Sequence, residues 1–512
     1  MAVRSILFAS PRAPGEPEGA AEPEYFRDLN LDQVVAAIAK EHPGAGLESW
    51  FHLPLRDAGL VAFRQRIFHD LEDPAVRGVA ERFTAALART RRRLELVGRM
   101  KHPPQAHRWF LEIVLEYAAL VTELAEGLAA APLTAPGLLA LRDDIAAYVR
   151  DAAFTGPRER ASRLRERLGE VRYDLLLRGE KVTVVAHDPD VRFDYAERVL
   201  AVFERFGRDR PPEHAAGTAQ ETGLDHLEAK VLDFVVELAP GVFRDLAAFG
   251  EAERGFMPGD VLRLERELRF YLGYLAHLAP LREAGLPFCL PEVSTTDKRL
   301  AVRDVFDLAL ASSPSARGRR VVGNDVRLED GERVLVVSGP NQGGKTTLSR
   351  AFGQLHHLAA LGCPVPGREA RVFLPDRILT HYERAESLEG QVSKLEEELL
   401  RMRAILEQAT PDSVVILNEI FTSTTWDDAR ALSEAVLTEI LRLDAVCLWV
   451  SFVDELSRLD PRTVSMVGEV AGEDAERTYK VVRRPADGRA YAMTLAERHG
   501  LTRAQIIGRM RR

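Results

Sequence analysis

The sequence predicts a multidomain protein of mixed class: a long, mostly α-helical body followed by an α/β nucleotide domain. Three observations lead there. At 512 residues the chain is too long for a single hydrophobic core. From Tyr25 to about residue 280, apolar residues recur at three-to-four spacing. After "LPFCLPEV" (286–293) the pattern changes, and short β-rich runs alternate with helical ones, as in a sheet of buried, largely parallel strands.

Residues 1–24 are rich in Pro, Gly, Ala and Glu and are expected to form a disordered tail. Residues 25–299 read as helical domains. In "DVLRLERELRFYLGYLAHL", Val261, Leu264, Leu268, Leu272 and Leu275 form one stripe. "EKVTVVAHDPDVRF" (180–193) interrupts the helices as a short strand or hairpin, and 207–223 reads as a linker. Residues 300–498 carry the strands "RVLVVSG", "SVVILNE" and "AVCLWVS" between helices, and 499–512 form a helical end. The net charge of −9 leaves no global basic footprint for nucleic acid. Cys289, Cys363 and Cys447 match neither a zinc spacing nor a disulfide framework, so a reducing, cytoplasmic setting is expected. No apolar run reaches membrane-spanning length.

Chemistry concentrates in "VLVVSGPNQGGKTT". Gly339, Gly344, Lys345 and Thr346 complete the G-x-x-x-x-G-K-[ST] pattern after an apolar strand and before a helix. Glycines let backbone N–H groups curl around phosphate oxygens, and the following helix start adds positive potential. Gly339, Pro340, Asn341, Gln342, Gly343, Gly344, Lys345, Thr346 and Thr347 are therefore the candidate nucleotide-binding loop. Lys345 would neutralise the phosphates, and Thr346 would offer its hydroxyl to Mg²⁺. The expected cofactors are ATP and Mg²⁺.

The sequence G-P-N-Q-G-G-K-T strongly resembles the phosphate loop of the MutS family, the ATPases of DNA mismatch repair and their relatives. "VVGNDVRL" (321–328) resembles the family's lead-in. "DRILTHYERAESLEGQVSKLEEELLRMRAILEQAT" (376–410) resembles its signature segment and following helix, and "NEIFTSTTWDDARALSEAVL" its Walker B and D-loop. "YFRDLNLDQVV" and "FRQRIFHDL" are similar to the start of lever and core helices in such proteins. The resemblance implies helical lever/core domains fused to an ABC-type ATPase domain, with a reduced clamp near 180–206. It further implies a homodimer through the ATPase domains, in which Ser393 of one copy reaches the phosphate held by the other. Glu419 matches the catalytic glutamate that polarises water, and Asp428 the D-loop contact across the seam.

Two positions depart from that pattern. Asn418 stands where the family has an aspartate beside Mg²⁺; its amide oxygen still accepts a bond but carries no charge, a loss of about 1–2 kcal/mol. Phe452 stands where the family has a phosphate-sensing histidine, and it cannot donate a hydrogen bond. The expectation is ATP binding with slow hydrolysis by Glu419. The Phe-x-Glu at Phe249–Glu251 lies in helical sequence, so the chain reads as a shortened member without the mismatch-binding N-terminal domain. DNA contact is assigned to the basic run 88–102, with Arg91, Arg92 and Arg93 as candidates for phosphate contact to duplex or structured DNA. The alternative is a nucleotide-gated protein scaffold that binds no DNA. "DPDVRFDY" fails as a calcium loop, and His356–His357 reads as structural.

Overall fold

The computed structural model describes residues 3–8, 20–41, 46–178, 181–187, 226–314, 318, 320–383, 393–471, 476–486 and 501–510. The helices are α1 (Tyr25–Asp28), α2 (Leu31–Lys40), α3 (Glu48–Phe51), α4 (Ala58–Glu72), α5 (Pro74–Val97), α6 (Pro103–Ala130), α7 (Pro136–Tyr148) and α8 (Ala152–Glu170). A hairpin follows, β1 (Tyr173–Arg178) and β2 (Lys181–Ala186), then α9 (His226–Leu238), α10 (Pro240–Ala252) and α11 (Gly259–Glu283). The remaining chain holds β3 (Phe288–Cys289), β4 (Glu292–Ser294), β5 (Leu300–Val305), α12 (Leu308–Ser312), β6 (Asn324–Leu328), β7 (Val334–Ser338) and α13 (Lys345–Ala360). It continues through β8 (Val365–Pro366), β9 (Glu369–Phe373), β10 (Arg377–Tyr382), α14 (Lys394–Gln408), β11 (Ser413–Asn418), α15 (Trp426–Leu443) and β12 (Val446–Val450). β13 (Thr463–Ala471), β14 (Glu476–Arg483) and α16 (Arg503–Met510) complete it.

The chain divides into two compact units. The first comprises residues 1–3, 79–131 and 142–262, and the second 4–78, 132–141 and 263–512. This division differs from a boundary near residue 300, because helices from the N-terminal part of the chain group with the α/β sheet. In the first unit, Phe110, Leu111 and Val114 of α6 pack with Ala161 and Leu164 of α8 and with Leu246 and Phe249 of α10. Phe249 is thus a core residue, its ring 6.2 Å from that of Phe110. β1 and β2 form an antiparallel hairpin beginning at Tyr173, upstream of the expected start. "YDLLLR" mixes apolar and polar residues without a clear period, and so short a run does not separate strand from helix.

In the second unit the central sheet has six strands in the order β10-β11-β12-β7-β13-β14. All neighbours are parallel except β13 and β14. Every residue of β7, β11 and β12 is buried, which explains their unbroken apolar runs. Leu437 and Ile440 of α15, Met402 and Ile405 of α14 and Trp449 of β12 form a core on one face. A second sheet, β4-β9-β5-β6, adjoins through the chain. Val261, Leu264, Leu268, Leu272 and Leu275 of α11 are all buried, as their stripe predicts.

Residues 4–8 depart from the expected tail. Ile6 and Leu7 are fully buried. The Ser5 hydroxyl and the Ile6 N–H donate to the buried carboxylate of Glu267 at 2.6 and 2.8 Å, and Tyr271 Oη donates to Ile6 O at 2.6 Å. Composition averaged over 24 residues conceals this five-residue segment, whose Ile6, Leu7 and Phe8 bury enough surface to order it. Residues 9–19, the 207–223 linker, most of the 180–206 segment, the calcium-like "DPDVRFDY" and 384–392 of the signature segment lie outside the described residues.

Candidate nucleotide site

The site forms where three parallel strands end side by side. β7 runs into the glycine loop, β11 into Asn418 and Glu419, and β12, which lies between them, into Ser451 and Phe452. Parallel strands flanked by helices expose their carboxyl ends as a crevice, the usual ligand position in open α/β sheets. Gly339 has φ +123°, and a Cβ there would meet the backbone N of Gly468 on β13 at 2.9 Å. Gly344, at φ +93°, precedes the first residue of α13, and its Cβ would meet Tyr479 O at 3.2 Å. Only glycine suits both positions. The two glycines turn the loop back over the start of a 16-residue helix.

Lys345 is buried with its ammonium held inside that loop. Nζ donates to Gly339 O at 3.0 Å, Pro340 O at 3.1 Å and Asn341 Oδ1 at 3.3 Å, and lies 3.5 Å from Glu419 Oε1. Glu419 is a third exposed and adopts φ +52°, a left-handed conformation uncommon for a non-glycine residue. Its N–H donates to Val450 O at 2.9 Å, so the turn is tied to β12. Phe421 repeats the left-handed conformation, at φ +61°. The Phe421 N–H and Ser423 hydroxyl both donate to Glu398 Oε2 of α14, at 3.1 and 3.4 Å. Glu398, whose carboxyl is pushed upward mainly by burial, thereby anchors the turn that carries Glu419. Sequence reading missed Glu398, because it looks like one more polar residue on an amphipathic helix.

Asn418 is buried and is the register partner of Tyr382 across β10 and β11. Ser349 of α13 contacts both: its Oγ is 2.8 Å from Tyr382 Oη and donates to Asn418 Oδ1 at 3.5 Å. Thr346 and Thr347 are half-buried in the first turn of α13, while Asn341 and Gln342 are exposed. Ser393 is exposed and caps α14, accepting from Glu396 N–H at 3.3 Å. Asp428 also serves a cap: it accepts from the Thr425 and Thr424 hydroxyls, while its N–H donates to Thr425 Oγ1. Phe452 is 40% exposed, and its ring lies 5.5 Å from that of Trp426.

These residues fit a magnesium nucleotide. A buried ammonium, a glycine loop and a helix start supply positive potential for phosphates. No group of three His, Cys, Asp or Glu that could hold a metal occurs among the described residues. A cation here would accordingly take phosphate oxygens, water and the Thr346 hydroxyl, as magnesium does in phosphate-loop proteins. No described helix is long and apolar enough to cross a membrane. Of the basic run, Arg91 and Arg92 are exposed on α5, whereas Arg93 is ion-paired with Glu116 and stacks 5.4 Å from the Trp109 ring.

Comparison with known proteins bears on the same segment. Residues 335–509 match the family model of MutS domain V. The DNA mismatch repair protein MutS of Syntrophomonas wolfei is 26% identical over 336 residues, 56% of this chain and 39% of that protein. That of Brevibacillus brevis is 34% identical over 185 residues, 35% and 21% of the two chains. The Endonuclease MutS2 of Gemmatimonas aurantiaca is 30% identical over 195 residues, 37% and 24%. The matches thus span between about a fifth and two-fifths of these relatives. The sheet, the loop and the strand-end residues occupy this one segment, and residues 335–509 are similar to domain V of the MutS family.

Proposed function

We propose that residues 339–347 bind ATP with Mg²⁺, that Glu419 supports weak hydrolysis, and that nucleotide state governs pairing of two copies and binding of duplex or structured DNA. The supporting observation is the Lys345 ammonium, held among loop carbonyls and 3.5 Å from Glu419. An incoming triphosphate brings stronger acceptors than these carbonyls, so Nζ turns to it and leaves its loop partners. ATP supplies the phosphoanhydride; the chain supplies the cradle, the cation and a carboxylate aimed at the crevice. Thr346 and Asn418 face the metal side, and Glu419 positions the attacking water.

The departures from the family slow turnover rather than prevent binding. An amide at 418 adds no charge to the metal's surroundings, and Phe452 donates no hydrogen bond. The exposed N-terminus of α14, with Ser393 as its cap, suits a phosphate presented by a second copy. DNA contact rests on Arg91 and Arg92; Arg93 contributes through its packing on Trp109. The test is sedimentation with and without ATP for wild type and Glu419→Gln, repeated with duplex and branched DNA. The reading requires ATP-dependent dimers that Glu419→Gln prolongs, and DNA retention lost on charge reversal at Arg91 and Arg92. Dimers that form without DNA retention select the protein scaffold instead.

A further inference from the structure

We propose that Glu398 is a positioning residue for hydrolysis: it pins the backbone of the 419–423 turn, aims the Glu419 carboxylate into the crevice, and so governs turnover while leaving nucleotide affinity alone. This rests on the reading of Glu419 as the group that positions the attacking water. It extends that reading to a residue on a different element.

β11 ends at Asn418, and the chain then adopts φ +52° at Glu419 and +61° at Phe421. A Cβ crowds the following carbonyl in this left-handed region, and a bulky residue is seldom found there. Such a conformation persists only where its surroundings over-determine it, and it recurs at functional sites. Here it sends neighbouring side chains to different destinations. Ile420 and Phe421 are buried in the core beside Met402 and Ile405 of α14. Glu419 stays a third exposed, with Oε1 3.5 Å from Lys345 Nζ.

Two hydrogen bonds fix the backbone around Glu419. Its own N–H donates to Val450 O at 2.9 Å. Two residues on, the Phe421 N–H donates to Glu398 Oε2 at 3.1 Å, and the same oxygen accepts from Ser423 Oγ at 3.4 Å. Glu398 is buried, and its helix is tied to the sheet from the other side: three residues on, Arg401 donates to Thr380 O and Tyr382 O of β10, both at 3.1 Å. α14 is thus seated on β10 by Arg401 and reaches the turn through Glu398. Without that carboxylate the Phe421 N–H loses its acceptor inside the protein, an unfavourable state that the peptide relieves by rotating toward water. The rotation lies two residues from Glu419 and redirects its side chain. Both bonds of Glu398 go to residues 421 and 423 and neither to the phosphate loop, so binding survives the change.

The experiment follows ATP turnover, affinity for a fluorescent ATP analogue with Mg²⁺, and hydrogen exchange of a peptide covering 418–423 read by mass spectrometry. Glu398→Ala should lower kcat at least about 10-fold while changing analogue affinity by less than about 2-fold. Exchange of the Phe421 amide should quicken at least about 10-fold. Glu398→Gln keeps an acceptor for that amide and should return both readouts to within about 3-fold of wild type. Ser423→Ala should change kcat by less than about 1.5-fold in the Glu398→Ala background, because the shared acceptor is already gone. Unchanged kcat beside faster exchange overturns the proposal, as does a loss of affinity equal to the loss of kcat. Should Glu398→Ala melt at much lower temperature, Glu398→Asp withdraws the acceptor by one methylene and provides the same comparison, with the same outcome required. A wild-type chain that binds the analogue yet turns over no ATP refutes the hydrolysis reading and the catalytic half of this proposal together; the exchange comparison separates that result from a failure of Glu398 to hold the turn.

Discussion

Replacing Asp28 with alanine should destabilise the second unit by about 2–3 kcal/mol, because Asp28 joins α1 to both the sheet and α14. Its Oδ2 accepts from Arg401 Nη2 at 2.6 Å and from the Thr380 hydroxyl at 2.7 Å. Arg401 also donates to Thr380 O and Tyr382 O, both at 3.1 Å. The Asp28 side chain is 7% exposed and that of Arg401 22%. Removing one partner of a buried pair costs about 3–5 kcal/mol; the partial exposure of Arg401 and its two carbonyl partners reduce this. Asp28→Asn keeps an acceptor for Thr380 and should cost about 1–2 kcal/mol. Combining Asp28→Ala with Arg401→Met should cost less than the two single losses added, with a coupling of about 1–2 kcal/mol. Urea denaturation followed by tryptophan fluorescence checks this through the midpoint of the transition. A midpoint shift worth less than about 0.5 kcal/mol for Asp28→Ala would refute the claim that this contact holds α1 in place.

Three further outcomes are expected. Lys345→Ala should weaken nucleotide binding by about 100-fold while shifting the melting temperature of the nucleotide-free protein only slightly, since the cost of burying the ammonium offsets its bonds to the loop and its 3.5 Å contact with Glu419; titration calorimetry and a thermal melt check both halves. Burial holds His356 and His357 neutral, lowered to about 4 and about 3 from an ordinary 6.5. The unfolded chain therefore binds protons that the folded chain refuses, and stability falls as pH drops below 6.5 and keeps falling toward about 4 and 3, by about 2–3 kcal/mol between pH 7.5 and 5.5; a flat melting temperature over that interval contradicts it. Cys363 and Cys447 are buried with thiols pushed far up by desolvation, and Cys289 is pushed up to about 11. Alkylation of the native protein at neutral pH should therefore be slow at all three, with Cys289 accelerating as pH rises toward 11 and the other two reacting only after denaturation.

Much of the α/β part was legible in the residues because its signals are local. "VLVVS", "SVVILN" and "VCLWV" are continuous apolar runs of strand length, and strands buried on both faces need such runs. The glycine loop was legible because its geometry demands glycine at 339 and 344. The face of α14 was legible only in part. Met402 is buried and Leu395 and Leu406 pack on the core, yet Leu399 is 37% exposed, because a 3.6-residue period says which residues share a side but not how wide the covered stripe is.

The apolar start at residues 4–8 was concealed for a related reason. Whether "SILF" orders itself depends on Glu267, Tyr271 and Arg64, residues distant in the chain. The polar contacts around the site are of the same kind: Glu398 with the 419–423 turn, Asp28 with Arg401, and Ser349 with Tyr382 and Asn418.

Composition and spacing alone dictate the strands, the glycine loop and the helix that follows it, because propensity, periodicity and a glycine's backbone freedom act over a few neighbouring residues. The partners of Glu419, the engagement of Asp28 and the surroundings of Asn418 emerge only once strands from distant segments lie side by side. A hydrogen bond exists where two groups come within about 3 Å, and proximity across hundreds of residues is set by packing.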